Sequence, residues 1–435
     1  MLLTPTFLRK TLAALGAPLL ALLAQTSHSQ ALPAVTRIPA AVETALQRAK
    51  IPREAVSLLV VNVDGKTAPS LAWRTQQPMN PASVMKLVTT YAALDQLGPA
   101  YVWRTPVYLG GPVVDGVLRG NLYIQGQGDP KLVLERLWLM LRRLQGMGVK
   151  VIVGDIVLDR SAFQLPAHDA AGFDNEPWRP YNASPDALLI NYKAVAVNIA
   201  TDTGAGVARI QYDPPMFGMD NQQTLALAAP NSDCGDWRSK MQLDMANPQR
   251  IAFNGSYPAS CGDKSWSIAP AQPERLAAKA IEGMCRELGG KLTGSAHDGT
   301  VPQGLQAAFQ LESPALSEVV RDINKYSNNI MAQHVLLTLG MQRTGVTNYE
   351  SARQSLAQWW TARLGNVEQP AVDNGAGLSR NASITANGLG RMLQSAWVSP
   401  VMPEFVSSLP IVGVDGTLRR SRSKFAGSAH LKTGT

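Results

Sequence analysis

Pro81-Ala82-Ser83-Val84-Met85-Lys86-Leu87 opens the segment that decides this fold. From Ser83 to Leu97 the apolar residues Val84, Leu87, Val88, Tyr91 and Leu94 recur at helical spacing, so the stretch predicts a helix with Ser83 at its start. Positions i and i+3 share a helix face, which puts the Lys86 amine within reach of the Ser83 hydroxyl. A neutral amine can take the hydroxyl proton as the oxygen attacks a carbonyl, provided desolvation or a neighbouring cation lowers its pKa. The same residues also read as a helix-capping serine and an exposed lysine. About one such Ser-x-x-Lys match is expected by chance in a chain this long, and Ser421-Arg422-Ser423-Lys424 is a second one, in a basic stretch that reads as a solvated hairpin.

Two later motifs select Ser83. In Tyr326-Ser327-Asn328-Asn329 a hydroxyl can pass a proton and a carboxamide can orient a substrate amide. Ser327 with Asn329 is one frame, and Tyr326 with Asn328 is another, with the phenol as base. A further Ser-x-Asn, Ser379-Arg380-Asn381, follows the turn signal Asp373-Asn374-Gly375-Ala376-Gly377 and reads as a loop feature. Near the end stands Lys432-Thr433-Gly434. Strand alternation would send Lys432 and Gly434 to one face and Thr433 to the other. The cation attracts a carboxylate and is a candidate to lower the Lys86 pKa. The glycine lets a substrate backbone lie close. The Thr435 backbone N–H, beside that of Ser83, suits an oxyanion hole.

Composition excludes several classes. The chain of 435 residues is 45% hydrophobic and 17% charged, which suits two or three domains with real cores and little disorder. Its formal charge of +8 fits contact with an anionic polymer or membrane surface as well as plain solubility, and no dense basic run supports nucleic acid. Arg9 and Lys10 precede an uncharged Leu/Ala-rich run to Ala24, then polar residues lead to Ser29-Gln30-Ala31. That is an export signal over residues 1–31 with cleavage near Ala31, too short to span a membrane. Cys234 and Cys261 lie in loop-like segments that can meet in a disulfide, while Cys285 reads as a buried hydrophobe on a helix. No Cys or His spacing marks a zinc site, and the acyl-transfer reading calls for no cofactor or metal.

The motif spacing sets the organisation. A helix over 39–50, strands over 56–64 and 71–74, and the Ser83 helix make residues 32–97 the first part of a catalytic domain. Residues 98–264 read as one mainly β insertion, with strands over 102–107, 118–125, 151–158, 195–200 and 207–212, a helix over 132–146, and a smaller β module nested at 193–261. Helices resume over 273–288, 316–341 and 348–364, so residues 265–435 are the second part of the catalytic domain.

Ser-x-x-Lys, Ser-x-Asn and Lys-Thr-Gly in this order are the signature of penicillin-binding proteins and serine β-lactamases. The chain resembles the D-alanyl-D-alanine carboxypeptidase/endopeptidase group of type-4 low-molecular-mass penicillin-binding proteins. Beyond the motifs, Gly126-Gln127-Gly128-Asp129-Pro130, Gly154-Asp155-Ile156 through Phe163, Asp373 to Ser379, and Leu409-Pro410-Ile411 through Leu418 share the resemblance. It favours the Ser327/Asn329 frame. It implies an α/β (α+β) transpeptidase-like domain with a five-stranded antiparallel sheet and helices, interrupted by a mainly β insertion. It implies periplasmic action on peptidoglycan peptides through a Ser83 acyl-enzyme and covalent inhibition by β-lactams, in preference to a β-lactamase, an esterase or a non-catalytic sensor. Ser327 with Lys432 would relay the proton to the leaving amine, Lys432 and Thr433 would hold the terminal carboxylate, and Asn329 the acyl-side amide. In that group the chain continues past Lys-Thr-Gly-Thr, so the resemblance also implies that a chain stopping at Thr435 is a fragment.

Overall fold

A computed structural model describes residues 37–342 and 345–435; the export signal expected over residues 1–31 lies outside them. Three hydrophobic cores divide the chain. At the centre of the first is the helix Met85–Leu97, buried at every position from Met85 to Leu94. A helix apolar on all sides must be enclosed. Its polar exceptions bond inward: Thr90 Oγ1 donates to the Lys86 carbonyl and Thr89 Oγ1 to that of Gly375. Against it lie Leu316–Tyr326, Asn329–Met341, Tyr349–Leu364, Ala386–Trp397 and Met402–Ser407. Asn329–Met341 is buried from Asn329 to Gly340. Tyr349–Leu364 begins at a capping box made by Asn348 and Ser351. An antiparallel hairpin of Leu58–Val60 and Leu71–Trp73 packs on Ala386–Trp397.

The mixed α/β class is as expected, but the five-stranded antiparallel sheet is not found in this core, where the hairpin is the only ladder among the described residues. Residues 431–435 sit outside any ladder, with a single bridge nearby between Ile411 and His430. The five-stranded sheet lies in the second core and is mixed. Its strand order is Ala296–Asp298, Ile156–Asp159, Leu122–Gln125, Arg104–Leu109, Ala307–Glu312, with the first two pairings parallel and the last two antiparallel. A smaller four-stranded sheet, Lys291–Leu292, Val151–Val153, Val117–Arg119 and Val113–Val114, adjoins it. The helices Leu134–Gly146 and Leu276–Glu287 supply apolar faces to the same core. The insertion is therefore α/β. It also runs further than residue 264, because Leu276–Glu287 and Ala307–Glu312 both pack with it and the chain rejoins the first core at Leu316.

The third core is the nested module. Its sheet is wholly antiparallel, in the order Thr224–Ala226, Val207–Asp213, Val195–Asp202, Lys264–Ile268, so the module extends beyond the expected limit at residue 261. Buried and less buried residues alternate along Val195–Asp202, as one covered face requires. Cys234 and Cys261 form the expected disulfide, and Cys285 is a buried free thiol in the second core.

His334, fully buried on Asn329–Met341, joins the insertion to the catalytic core. Its Nδ1 meets the Gly128 carbonyl at 2.9 Å and its Nε2 the Asp186 amide at 3.3 Å. Burial pushes its pKa down to about 4, so the ring is neutral, donating through Nδ1 and accepting through Nε2. Among the described residues no helix is long and apolar enough to cross a membrane.

The disulfide closes a separation of 27 residues wholly inside the third core. Replacing Cys234 and Cys261 by Ser should cost about 2–4 kcal/mol in denaturant unfolding. A reductant should reproduce that loss in the wild type and change nothing in the double variant.

Candidate active site

Ser83 stands in the single 3-10 turn Ala82–Val84 that leads into the Met85–Leu97 helix. Its hydroxyl does not cap the helix. It lies 2.9 Å from Lys86 Nζ, as the i, i+3 spacing demands. Ala82, immediately before it, holds a left-handed φ of 45°, a conformation that costs a non-glycine residue on the order of 1 kcal/mol and persists only where the surroundings enforce it. The enforcement is local. The Asn80 Oδ1 accepts from the Ala82 amide at 2.9 Å, and its Nδ2 donates to the Ser379 carbonyl at 2.8 Å.

Lys86 is fully buried. Besides Ser83, its Nζ reaches Asn329 Oδ1 at 2.7 Å and the Ala376 carbonyl at 2.6 Å. Burial first, and the nearby Lys432 ammonium second, lower its pKa to about 6. Lys432 was the cation expected from sequence to do this, and it contributes less than desolvation does. At neutral pH the amine has two hydrogens. A carboxamide oxygen and a carbonyl oxygen can only accept, so together they occupy both and leave the nitrogen lone pair for the Ser83 O–H.

Ser327 follows the Leu316–Tyr326 helix in a left-handed conformation, φ 58° and ψ 37°, so the chain breaks there before restarting at Asn329. This splits the single helical stretch expected over 316–341 and presents the Ser327 hydroxyl to Lys432 Nζ at 3.0 Å. Asn328 is spent as the cap of the next helix, accepting from the Met331 amide, and Tyr326 is 63% exposed. The structure thus brings Ser327 and Asn329 to Lys86 and Lys432, and leaves Tyr326 and Asn328 out.

Lys432 Nζ also donates to the Thr433 carbonyl at 2.8 Å, and burial lowers its pKa to about 8. Gly434 lies against the nucleophile turn. A Cβ there would stand 2.5 Å from the Pro81 carbonyl oxygen and 3.4 Å from the Ser83 amide nitrogen, so only glycine allows the approach. Lys432 reaches Ser327 and Gly434 packs on the Ser83 turn, but the segment forms no strand, so the expected strand alternation does not apply. Thr433 is half-buried and Thr435 exposed. The two decoys put no side chain into the site: the Ser379 hydroxyl accepts from the Asn381 amide inside its own loop, and Lys424 stacks on Phe425. No group of three or more His, Cys, Asp or Glu side chains suited to a metal ion occurs among the described residues.

Several supports went unassigned in the sequence. The turn at 373–379, noticed there only as a flank, supplies the Ala376 carbonyl, and it is held by Asn374, whose Oδ1 accepts from the Ala376 amide and whose Nδ2 donates to the Leu378 carbonyl. Within it Gly377 has φ +76°, and a Cβ would fall 1.8 Å from the Ala82 carbonyl oxygen. The flank 409–418 supplies Asp415, whose Oδ2 binds the buried Lys325 Nζ at 2.6 Å two residues before Ser327. The Tyr181 carbonyl, from the insertion, accepts from Asn329 Nδ2 at 3.1 Å. Backbone acceptors leave no mark in residue identity, so no motif pointed to Ala376 or Tyr181.

A serine hydroxyl against a buried lysine of lowered pKa, with a second serine–lysine pair beside it on a helix-rich α/β frame, is an arrangement suited to a serine hydrolase. Residues 38–435 match the D-Ala-D-Ala carboxypeptidase 3 (S13) family, and the chain belongs to it, with D-Ala-D-Ala carboxypeptidase activity. It is 28% identical to a D-alanyl-D-alanine carboxypeptidase from an Actinomadura species, over 86% of this chain and 72% of that one. It is 25% identical to D-alanyl-D-alanine carboxypeptidase DacB of Haemophilus influenzae, over 78% and 70%. The fold is that of penicillin binding protein 4 from Haemophilus influenzae, with a TM-score of 0.70 at 22% identity over 91% of this chain and 87% of that one. A second structure of that protein, complexed with a β-lactam, gives 0.66 at 21% identity.

Gly377→Ala should destabilise the chain by more than about 2 kcal/mol, since it adds a backbone clash to a left-handed φ. Thermal unfolding measures this.

Proposed function

We propose that Ser83 forms an acyl-enzyme with peptidoglycan stem peptides ending in D-Ala-D-Ala, and with the D-amino-acid cross-link between stems, so that the chain acts as a carboxypeptidase and a DD-endopeptidase. The observation that carries this reading is Lys86 Nζ within hydrogen-bond distance of Ser83 Oγ, Asn329 Oδ1 and the Ala376 carbonyl, an arrangement that leaves a neutral amine its lone pair for the Ser83 O–H. Ser83 Oγ attacks the carbonyl of the penultimate residue while its proton passes to Lys86 Nζ. The oxyanion forms between the backbone amides of Ser83 and Thr435. The C–N bond breaks, and the proton that Lys86 took from Ser83 is relayed through Ser327 and Lys432 to the leaving amine, so that Lys86 ends the step neutral and Lys432 still charged. The charge of Lys432 and the Thr433 hydroxyl hold the terminal carboxylate, and the free Nδ2 hydrogen of Asn329 holds the acyl-side amide. Water then cleaves the ester and Ser83 recovers its proton. A β-lactam acylates the same serine and stalls at that ester. Neither step draws on a cofactor.

The export signal read from residues 1–31 and the Cys234–Cys261 disulfide support action in the periplasm, an oxidising compartment. The net charge, +8 for the whole chain and +6 once Arg9 and Lys10 leave with the export signal, suits peripheral contact with the wall polymer or an anionic membrane surface.

Ser83→Ala should abolish both peptide hydrolysis and covalent penicillin labelling; retention of either would sink the acyl-enzyme. Digestion of purified cross-linked muropeptides with a mass readout separates the two activities, since loss of D-alanine and scission of the cross-link give different products. If only D-alanine is lost, the endopeptidase assignment fails.

The pH dependence follows from two lysines. Acylation needs Lys86 neutral, so its rate should rise through an acid limb with a midpoint of about 6. Carboxylate binding needs Lys432 charged, so it should fall through a basic limb near 8. A bell-shaped profile of penicillin acylation rate against pH checks both limbs.

A further inference from the structure

Asn329 has two ends, and the insertion holds one of them. Its Oδ1 accepts from Lys86 at 2.7 Å, and its Nδ2 donates to the Tyr181 carbonyl at 3.1 Å. That carbonyl belongs to the three-residue 3-10 turn Pro180–Asn182, and a single turn has little stability of its own. Asp174 holds it. Its Oδ2 accepts from Tyr181 Oη at 2.8 Å, while its Oδ1 accepts from Asn182 Nδ2 at 2.8 Å and from the Glu176 amide at 3.1 Å. Asn182 is buried, and its Nδ2 donates again to the Glu176 carbonyl at 3.0 Å. One carboxylate therefore ties both ends of the 174–182 loop to the turn that carries the Tyr181 carbonyl.

The geometry points to Asp174 as a positioning residue for acyl transfer: it fixes the 180–182 turn so that the Tyr181 carbonyl selects the Asn329 orientation with Oδ1, not Nδ2, against Lys86. This rests on the reading of Ser83 and Lys86 as nucleophile and base. The two ends of a carboxamide are nearly equal in shape, so hydrogen-bond partners alone choose between them. Flipped, Asn329 would aim a donor at Lys86 Nζ. The lysine lone pair would then accept from the amide instead of facing the Ser83 O–H, and a donor against the amine disfavours its charged form. The flip would therefore slow acylation and lower the pKa of the base together. Asp174 makes no hydrogen bond or ion pair with Ser83, Lys86 or Asn329, so its whole influence passes through the turn.

The experiment is single-turnover acylation of the full chain by a fluorescent penicillin, measured against pH, for wild type, Asp174→Ala, Asn329→Ala and the double variant. Asp174→Ala should slow acylation about 10–100-fold and move the acid-limb midpoint below the wild-type value. In the Asn329→Ala background the same substitution should change the rate less than about twofold, because its route is already cut. Equal factors in both backgrounds, or an unmoved midpoint, would overturn the proposal. Tyr181→Phe guards against a misfolded alanine variant. It keeps the Tyr181 carbonyl and removes only the hydroxyl that Asp174 Oδ2 holds, and it should move the midpoint in the same direction; a wild-type rate and midpoint there count against the proposal. The two readings fail differently. An unlabelled wild type removes the assignment of Ser83 and this one with it, whereas a labelled wild type with unmoved variants removes only this one.

Discussion

A neutral lysine has two hydrogens to give, and the rest of this structure depends on where Lys86 must give them. A carboxamide oxygen on one side and a main-chain carbonyl on the other can only accept, so the lone pair is left for the Ser83 hydroxyl. Neither acceptor comes from the helix that carries Lys86. Asn329 requires a helix to restart one residue after a left-handed break, and Ala376 requires a turn whose glycine rests on the carbonyl before Ser83. Segments hundreds of residues apart in sequence meet at one nitrogen atom, which is why the fold must close around the Met85–Leu97 helix on all sides.

Enclosure has an electrostatic consequence. Taking Lys86 out of water moves its pKa from 10.5 to about 6, and each unit of such a shift is about 1.4 kcal/mol of difference between its charged and neutral forms. Across that interval the unfolded chain holds a proton that the folded chain does not. Folding at this position is therefore favoured progressively as pH rises from 6 towards 10.5, and burial is tolerated only because the amine is neutral and bonded. Lys432 stands nearby and loses less of its basicity, falling to about 8. Between those two values one lysine is a base and its neighbour a cation, from the same residue type in two degrees of burial.

Much of this was legible in the sequence. The helical period after Ser83, the i, i+3 placement of Lys86 and the order of the three motifs led to the Ser83/Lys86 and Ser327/Lys432 pairs that the structure brings together, because each is a side chain with a spacing. The alternation from Val195 and the loop context of Cys234 and Cys261 led likewise to the nested module and its bridge. The α/β class is as expected, while one detail differs: the resemblance implied a five-stranded antiparallel sheet in the catalytic core, whereas among the described residues the five-stranded sheet belongs to the insertion and is mixed. The insertion boundary moved as well. The helix Leu276–Glu287 is amphipathic wherever it packs, and only its contacts show that its apolar face belongs to the second core. What remained invisible were the carbonyls of Ala376 and Tyr181, since every residue carries one.

The insertion is more than an appendage, because it closes on the catalytic helix at two levels. Deep in the interface, His334 is held neutral between the Gly128 carbonyl and the Asp186 amide, which fixes the Asn329–Met341 helix against the second core along its buried length. At the start of that helix the Tyr181 carbonyl meets Asn329 itself. A histidine with one donor and one acceptor nitrogen accepts only this pairing of partners, so the helix cannot slide without losing both bonds. A slide of one residue would rotate Asn329 away from Lys86 by roughly a quarter turn, as 3.6 residues per turn require. The register that places the carboxamide on the base is thus set about five residues further along the same helix, by a ring that touches none of the reacting groups.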